Sequence, residues 1–297
     1  MLVTMKEILD HANKNNYGVA APNVNTEVDA RAVFEAAEEL NAPIIIDVAT
    51  DANPDIEFLC HMLADMANNC RVPVAINMDH TRTKEQAIQG IRYGFTSIMV
   101  DRSALDYEDN VREVKELTEI AHSCGLSVEA ELGMVGQADN YANERNVALT
   151  DPEKAKDFIE KTGVDCLAVA VGNAHGAYKG HEPYLDFERL QQVKNATNMP
   201  LVLHGGSGTG DAQLQKACTM GINKVNISND LLKAIVEEVS KNDFSGNNAY
   251  KFWDVVKTGY KQRLMELMVL FGSKDKAWTC SQKECSKIRY NEFIFNK

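Results

Sequence analysis

Three histidines close three short apolar runs of this chain: His80 in PVAINMDHT, His175 in CLAVAVGNAHG and His204 in PLVLHGG. Each run is rich in Val, Ile, Leu and Ala and reads as a buried strand ended by polar residues or glycine. Imidazoles at the ends of neighbouring parallel strands can converge on one point. Three neutral ring nitrogens with a fourth position left open are the ligand set of a catalytic zinc ion. The remaining histidines have ordinary surroundings: His11, His61 and His122 lie in helical patterns, and His181 in a turn before Pro183.

The elements that must position these residues follow from periodicity. Eight strand-like runs cover residues 18–22, 43–48, 73–78, 97–100, 127–132, 166–171, 200–203 and 224–227. Helix-patterned stretches such as VDARAVFEAAEELN and YEDNVREVKELTEIAHSCG separate them, with apolar residues three and four apart. This alternation predicts an α/β fold, a (β/α)8 TIM barrel forming one domain over 1–277. A leading helix over 1–16 closes its bottom, and extra helices follow the last strand. Within SNDLLKAIVEEVSKN, the residues Leu231, Leu232, Ile235, Val236 and Val239 form an apolar stripe expected to pack on the barrel. Residues 278–297 form a tail that either docks on a neighbouring subunit or frays.

Chemistry in such a barrel sits at the C-terminal ends of the strands. Those ends carry Asn25, Asp79, His80, Asp101, Glu131, His175, His204 and Asn226. Gly205, Gly206 and Gly208 follow the seventh strand in HGGSGTG, and Gly172 and Gly176 flank His175. Backbone amides there, with the Ser207 hydroxyl, can cradle a phosphate at the usual phosphate position of this architecture. The stretch 133–149 is polar, Asn-rich and too long for a routine connection, so it reads as a lid.

Composition narrows the partners. The net charge of −12 argues against nucleic acid and anionic membrane, so an anionic substrate must be held by local amides and a metal. No apolar stretch approaches the ~18 residues that span a bilayer, and the amphipathic N-terminus MLVTMKEILDHANK lacks a signal-peptide core. Seven scattered cysteines, an odd number, suit the reducing cytoplasm and free thiols, including the Cys280–Cys285 pair in the tail.

In that order, INMDHT, VEAELGMVG, VAVGNAHGAYKG, LHGGSG and INKVNISND resemble the class II zinc-dependent fructose/tagatose-bisphosphate aldolases, over residues 1 to about 277. The resemblance implies zinc on His80, His175 and His204, with Glu131 as an inner carboxylate and Asp101 supporting the ligands. It gives Asp79 the proton of the substrate hydroxyl at the cleaved bond. It gives Asn226 the dihydroxyacetone phosphate portion, and Gly176, Gly205 and Ser207 the phosphate loop; Asn25, Ser228 and Asn229 are further candidate substrate contacts at the same strand ends. A monovalent cation, K+ or Na+, and a homo-oligomer, dimer or tetramer, are also implied, with a small sugar phosphate as substrate.

Several positions depart from the family pattern. The lid acid, a Glu in a Gly-Gly-x-Glu-Asp pattern, is replaced by Asp139 in GQADN, with Glu144 as a second candidate. An Arg for a distal phosphate is Leu232, a Thr is Asn229, a Ser ending strand two is Ala49, and a Gly after Asp101 is Arg102. The pattern predicts retained carbon–carbon cleavage with a changed aldehyde, an uncharged or acidic one, for which Arg102 is either a carboxylate partner or an exposed surface residue. Two rivals stand beside it: a zinc hydrolase on the same barrel, and a sugar-phosphate binding protein that has lost its lid acid.

Overall fold

The computed structural model describes residues 1–133, 135–137, 149–175 and 183–278, with only the backbone at 136, 137 and 175. Asp139, Glu144, Gly176, His181, Cys280, Cys285 and the rest of the tail beyond Trp278 lie outside the described residues. Eight barrel strands run Val19–Pro22 (β1), Ile44–Ala49 (β2), Val74–Thr81 (β3), Ser97–Val100 (β4), Ser127–Leu132 (β5), Cys166–Val169 (β6), Leu201–Leu203 (β7) and Ile222–Ile227 (β8). All are parallel, in the spatial order β1-β8-β7-β6-β5-β4-β3-β2, and a bridge between Asn23 and Asp47 brings β1 against β2. The expected (β/α)8 barrel is therefore present, nearly closed.

Helices follow the strands in turn, and local chemistry sets their ends. Thr4, Thr26 and Thr83 each close a capping box at the start of α1 (Met5–Lys14), α2 (Glu27–Glu39) and α4 (Lys84–Tyr93). Gly94 and Gly163 adopt the left-handed conformation that ends α4 and α6 (Pro152–Thr162). The others that matter here are α3 (Ile56–Asn69), α5 (Tyr107–Ser123), α7 (Phe187–Thr197), α8 (Asp211–Thr219), α9 (Asn229–Ser240) and α10 (Phe252–Leu270).

Two apolar cores result. One lies between the sheet and the surrounding helices, which buries the outer strand faces and explains the unbroken apolar runs. The other lies inside the barrel, where Ile45, Ala75, Cys166 and Val202 meet Met5, Ile8 and Leu9 of α1. The leading helix is thus a plug on the barrel floor, as expected, and Trp278 stacks on its His11 with ring centroids 4.5 Å apart. Among the described residues, no helix is long and apolar enough to cross a membrane.

One expectation is met only in part. The stripe on α9 is only partly packed on the core, through Leu231 and Ile235. Leu231 is buried, but Leu232 and Val236 are 44% and 68% exposed, because α9 lies chiefly against α10 and turns this edge outward.

Leu9 is fully buried in the floor. Leu9→Ala is expected to cost about 2–5 kcal/mol through lost burial and a cavity, read as a lowered midpoint in urea unfolding with the slope unchanged.

Candidate active site

The site begins with a break in β3. A strand sends adjacent side chains to opposite faces, so Asp79 and His80 should point apart. His80 instead has φ = +51°, the left-handed region, and the β3–β4 register shifts between Met78 and Thr81. That conformation costs a non-glycine residue about 1–3 kcal/mol and clusters at functional sites. Here it lets both side chains serve one point: atoms of Asp79, His80 and His204 lie within 4.8 Å of one another, as do those of His80, Asp101 and Glu131. β3 therefore runs on through His80, where the sequence pattern ended it at Met78.

Each histidine has one nitrogen committed and one presented. His80 donates Nδ1–H to Asp101 Oδ2 at 2.9 Å, and His204 donates Nε2–H to Glu129 Oε1 at 2.8 Å. Their other nitrogens, His80 Nε2 and His204 Nδ1, face each other at 3.0 Å. In the metal-free protein a proton shared between them makes this contact a hydrogen bond, a proton that a metal ion held by both nitrogens would replace, and a carboxylate or carbonyl behind each imidazole is the usual support of a metal ligand. Burial pushes the pKa of His80 down, but Asp79, Asp101 and Glu131 outweigh it and raise the pKa to about 9. For Asp101, burial pushes upward, yet the hydrogen bonds from His80 and Ser103 hold its carboxyl well below the usual range. Burial drives Glu131 upward, its Oε1 accepts from the Val135 amide at 3.1 Å, and its buried Oε2 has no hydrogen-bond partner.

The other sequence-predicted residues surround this point unevenly. Asn226 Nδ2 lies 3.5 Å from Asp79 Oδ1, while its buried Oδ1 is unpartnered. Ser207 Oγ accepts from the backbone amides of Ser228 and Asp230, both at 3.2 Å, so it ties the loop after β7 to the start of α9. Gly205 and Gly208 have φ of +62° and +79° and turn that loop sharply. Asn25 and Asn229 are half-buried at the same end of the barrel, the Asn25 carbonyl accepting from Asn53.

His175 is placed differently from expectation. β6 stops at Val169, the chain turns through Gly172 at φ = +95°, and His175 lies on a separate two-residue strand paired with Gly136–Gln137. The stretch read as a lid is thus tied at its start to the segment carrying His175. Arg102 is not an exposed surface residue. It is 4% exposed, its Nε donates to Glu113 at 2.6 Å, and its Nη1 donates to the Thr81 and Asp101 carbonyls. With His80, Arg82, Asp101 and Glu131 among others, it lines a cavity of about 360 Å³.

Sequence reasoning missed a charged layer directly beneath the site. Asp47, Glu129 and Lys224 are fully buried, Lys224 Nζ lying 2.8 Å from Glu129 Oε2 and 3.1 Å from Asp47 Oδ2. Burial alone would lower the Lys224 pKa, but the two carboxylates raise it, so the ammonium stays charged; Lys224 and His204 likewise hold Glu129 below its usual range against burial. A period of two was the available signal: Glu129 is two residues before Glu131, and Lys224 two before Asn226.

Comparison with known proteins decides the family. Residues 3–276 match the model of the fructose-bisphosphate aldolase class-II family. The chain belongs to the class-II fructose-bisphosphate aldolases. A fructose-bisphosphate aldolase of Thermus caldophilus is 37% identical, covering 93% of this chain and all of the relative. The crystal structure of the YdjI aldolase of Escherichia coli K12 superposes with a TM-score of 0.84 at 37% identity, covering 94% of this chain and all of that one. A putative fructose-1,6-bisphosphate aldolase structure from Coccidioides immitis gives a TM-score of 0.82 at 27% identity, covering 91% and 96%.

This class-II aldolase is a lyase of a family that is metal-dependent, and its donor set fits a divalent ion: two imidazole nitrogens aimed at one point, with Asp79, Asp101 and Glu131 around them. In the metal-free protein, the raised His80 pKa is stabilising below pH 6.5 and is lost as pH rises through about 9. Chelator-treated protein is therefore expected to lose up to about 3 kcal/mol between those limits. Urea titrations across the range should show the decline, and His80→Gln should flatten it.

Proposed function

We propose that this aldolase uses a zinc ion to cleave a phosphorylated ketose reversibly into dihydroxyacetone phosphate and an aldehyde. The observation that carries the reading is the pair His80 Nε2 and His204 Nδ1, turned towards each other beside Asp79 in a chain of this family. His80 and His204 hold the metal, His175 completes the set from its short strand, and Glu131 stands by as an inner carboxylate. Bound there, the ion supplies Lewis-acid stabilisation of the negative charge that grows on the substrate carbonyl oxygen as the carbon–carbon bond breaks.

The protein groups divide the remaining work. Asp79 takes the proton of the hydroxyl on the cleaved bond, a role that suits a buried carboxylate adjoining a ligand. Asn226 orients the dihydroxyacetone portion, its unpartnered Oδ1 being available to a substrate hydroxyl. The loop of Gly205 and Ser207, with Gly176, Ser228 and Asn229, receives the phosphate, and Asn25 lines the same mouth. Carbonyls near those glycines hold the monovalent cation, K+ or Na+. Asp139, or Glu144 in its place, protonates the carbanion carbon.

The aldehyde is the altered end. Leu232 and Ala49 stand where the family pattern has an arginine and a serine, and Arg102 is consumed inside the fold. These changes favour an aldehyde without a distal phosphate. The exposed apolar face of α9 and the following segment, with Leu232, Val236, Tyr250 and Trp253, supports assembly with further copies of the chain. Among the described residues, Cys60, Cys70, Cys124, Cys166 and Cys218 are free thiols, which supports the cytoplasm.

Zinc-loaded protein given dihydroxyacetone phosphate and a panel of aldehydes is expected to condense an uncharged or acidic aldehyde better than glyceraldehyde 3-phosphate. Chelation should abolish turnover, and borohydride should trap no adduct. A large preference for fructose 1,6-bisphosphate would contradict the altered aldehyde end, and metal-independent turnover would overturn the mechanism. Asp79→Asn is expected to lower kcat by about 10²–10⁴ while zinc content, measured by atomic absorption, stays near one per chain.

A further inference from the structure

Beneath the site, side chains from three strands and the loop after a fourth form an unbroken chain: Asp47 (β2), Lys224 (β8), Glu129 (β5) and His204, which follows β7. We propose that Asp47 is a positioning residue for the metal, acting through Lys224 and Glu129 to hold His204 with its Nδ1 turned towards His80. The proposal rests on the metal reading above.

The geometry supports each link. Glu129 has two oxygens with separate tasks: Oε2 accepts from Lys224 Nζ at 2.8 Å, and Oε1 accepts from His204 Nε2 at 2.8 Å. The ammonium therefore fixes the carboxylate plane, and the carboxylate fixes both the tautomer and the rotation of the imidazole. Lys224 is held in turn from its far side by Asp47, whose Oδ2 lies 3.1 Å away, close enough to pair but outside hydrogen-bond alignment. Asp47 is fixed by its own second oxygen, which accepts from Asn77 Nδ2 at 2.9 Å across the β2–β3 register. Glu129 alone would satisfy one charge of Lys224, so the barrel holds a second buried carboxylate beyond what pairing requires.

That surplus has an electrostatic sense. Burial pushes the Asp47 pKa up to about 7 against the pull of Lys224; with Asp47 ionised, two carboxylates and one ammonium leave a net charge of −1 in a layer sealed from water, directly under the point where two imidazoles would hold a dication. Apolar residues of similar volume often replace buried ion pairs without loss of stability, so stability alone does not account for the layer. Removing Asp47 leaves Lys224 leaning wholly on Glu129, which weakens the grip of Glu129 on His204 and takes a negative charge from beneath the ion.

The test is metal affinity, measured by chelator competition with zinc on the full chain, together with the visible spectrum of the cobalt-loaded protein. Asp47→Asn keeps the side-chain shape and is expected to weaken zinc binding 10–100-fold and to shift the cobalt bands. Zinc affinity within twofold of wild type, with unchanged cobalt bands and only a lowered melting temperature, would make Asp47 a structural residue and overturn the proposal. Should Asp47→Asn not fold, the double variant Asp47→Asn/Lys224→Met removes the unpaired ammonium. It is expected to fold and still to bind zinc at least tenfold more weakly, whereas wild-type affinity in it would refute the relay. Wild-type protein that takes up no zinc would instead remove the metal reading, and the relay with it.

Discussion

The ammonium of Lys224, enclosed by the carboxylates of Asp47 and Glu129 with no access to water, is the constraint around which this barrel is organised. A charge buried in this way is tolerable only if its partners are held in good geometry. Three different strands supply the ammonium and its two carboxylates, so the relative position of those strands is dictated as much by this cluster as by apolar packing. Below it, Ile45, Ala75 and Val202 seal the floor against α1; above it lie Asp79, Glu131, His204 and Asn226. The interior is thus stratified: dry and apolar at the bottom, ionic in the middle, reactive at the mouth.

Much of this was legible in the sequence, for identifiable reasons. Parallel strands buried on both faces show as unbroken apolar runs, so all eight barrel strands were visible and their ends could be searched for polar residues. Asp79, His80, His204 and Glu131 stood out because polar side chains are rare in such runs, and the structure brings all four together. The ionic layer was hidden by the same logic. Asp47 sits within IIIDVA and Lys224 at the start of KVNI, where attention fixed on strand ends passes over them, although each lies two residues below the mouth of its strand.

Other misreadings came from conformations that composition does not encode. The left-handed backbone at His80 and the register shift beside it decide that two consecutive side chains share one site. Gly172 turns the chain after β6, and so His175 leaves the barrel wall for a strand of its own. The surface reading of Arg102 failed because a lone arginine after a strand carries no sign of a carboxylate eleven positions away; Glu113 on α5 draws it inward. The stripe on α9 had the correct helical period but only part of the expected partner, since periodicity reports an apolar face and not what covers it.

The pairing of β1 with β8 joins Val19 to Lys224, across about two hundred residues of chain, a contact of the slow, non-local kind. During synthesis, the first strand must therefore wait for the last. Without β8, Lys224 is absent, Asp47 and Glu129 lack the cation between them, and the carboxylate that orients the imidazole of His204 loses the ammonium on its other oxygen. The ion-binding pocket thus depends on a contact between the two ends of the barrel sequence. Side chains that would hold an ion are therefore brought together only when the barrel closes its first strand on its last.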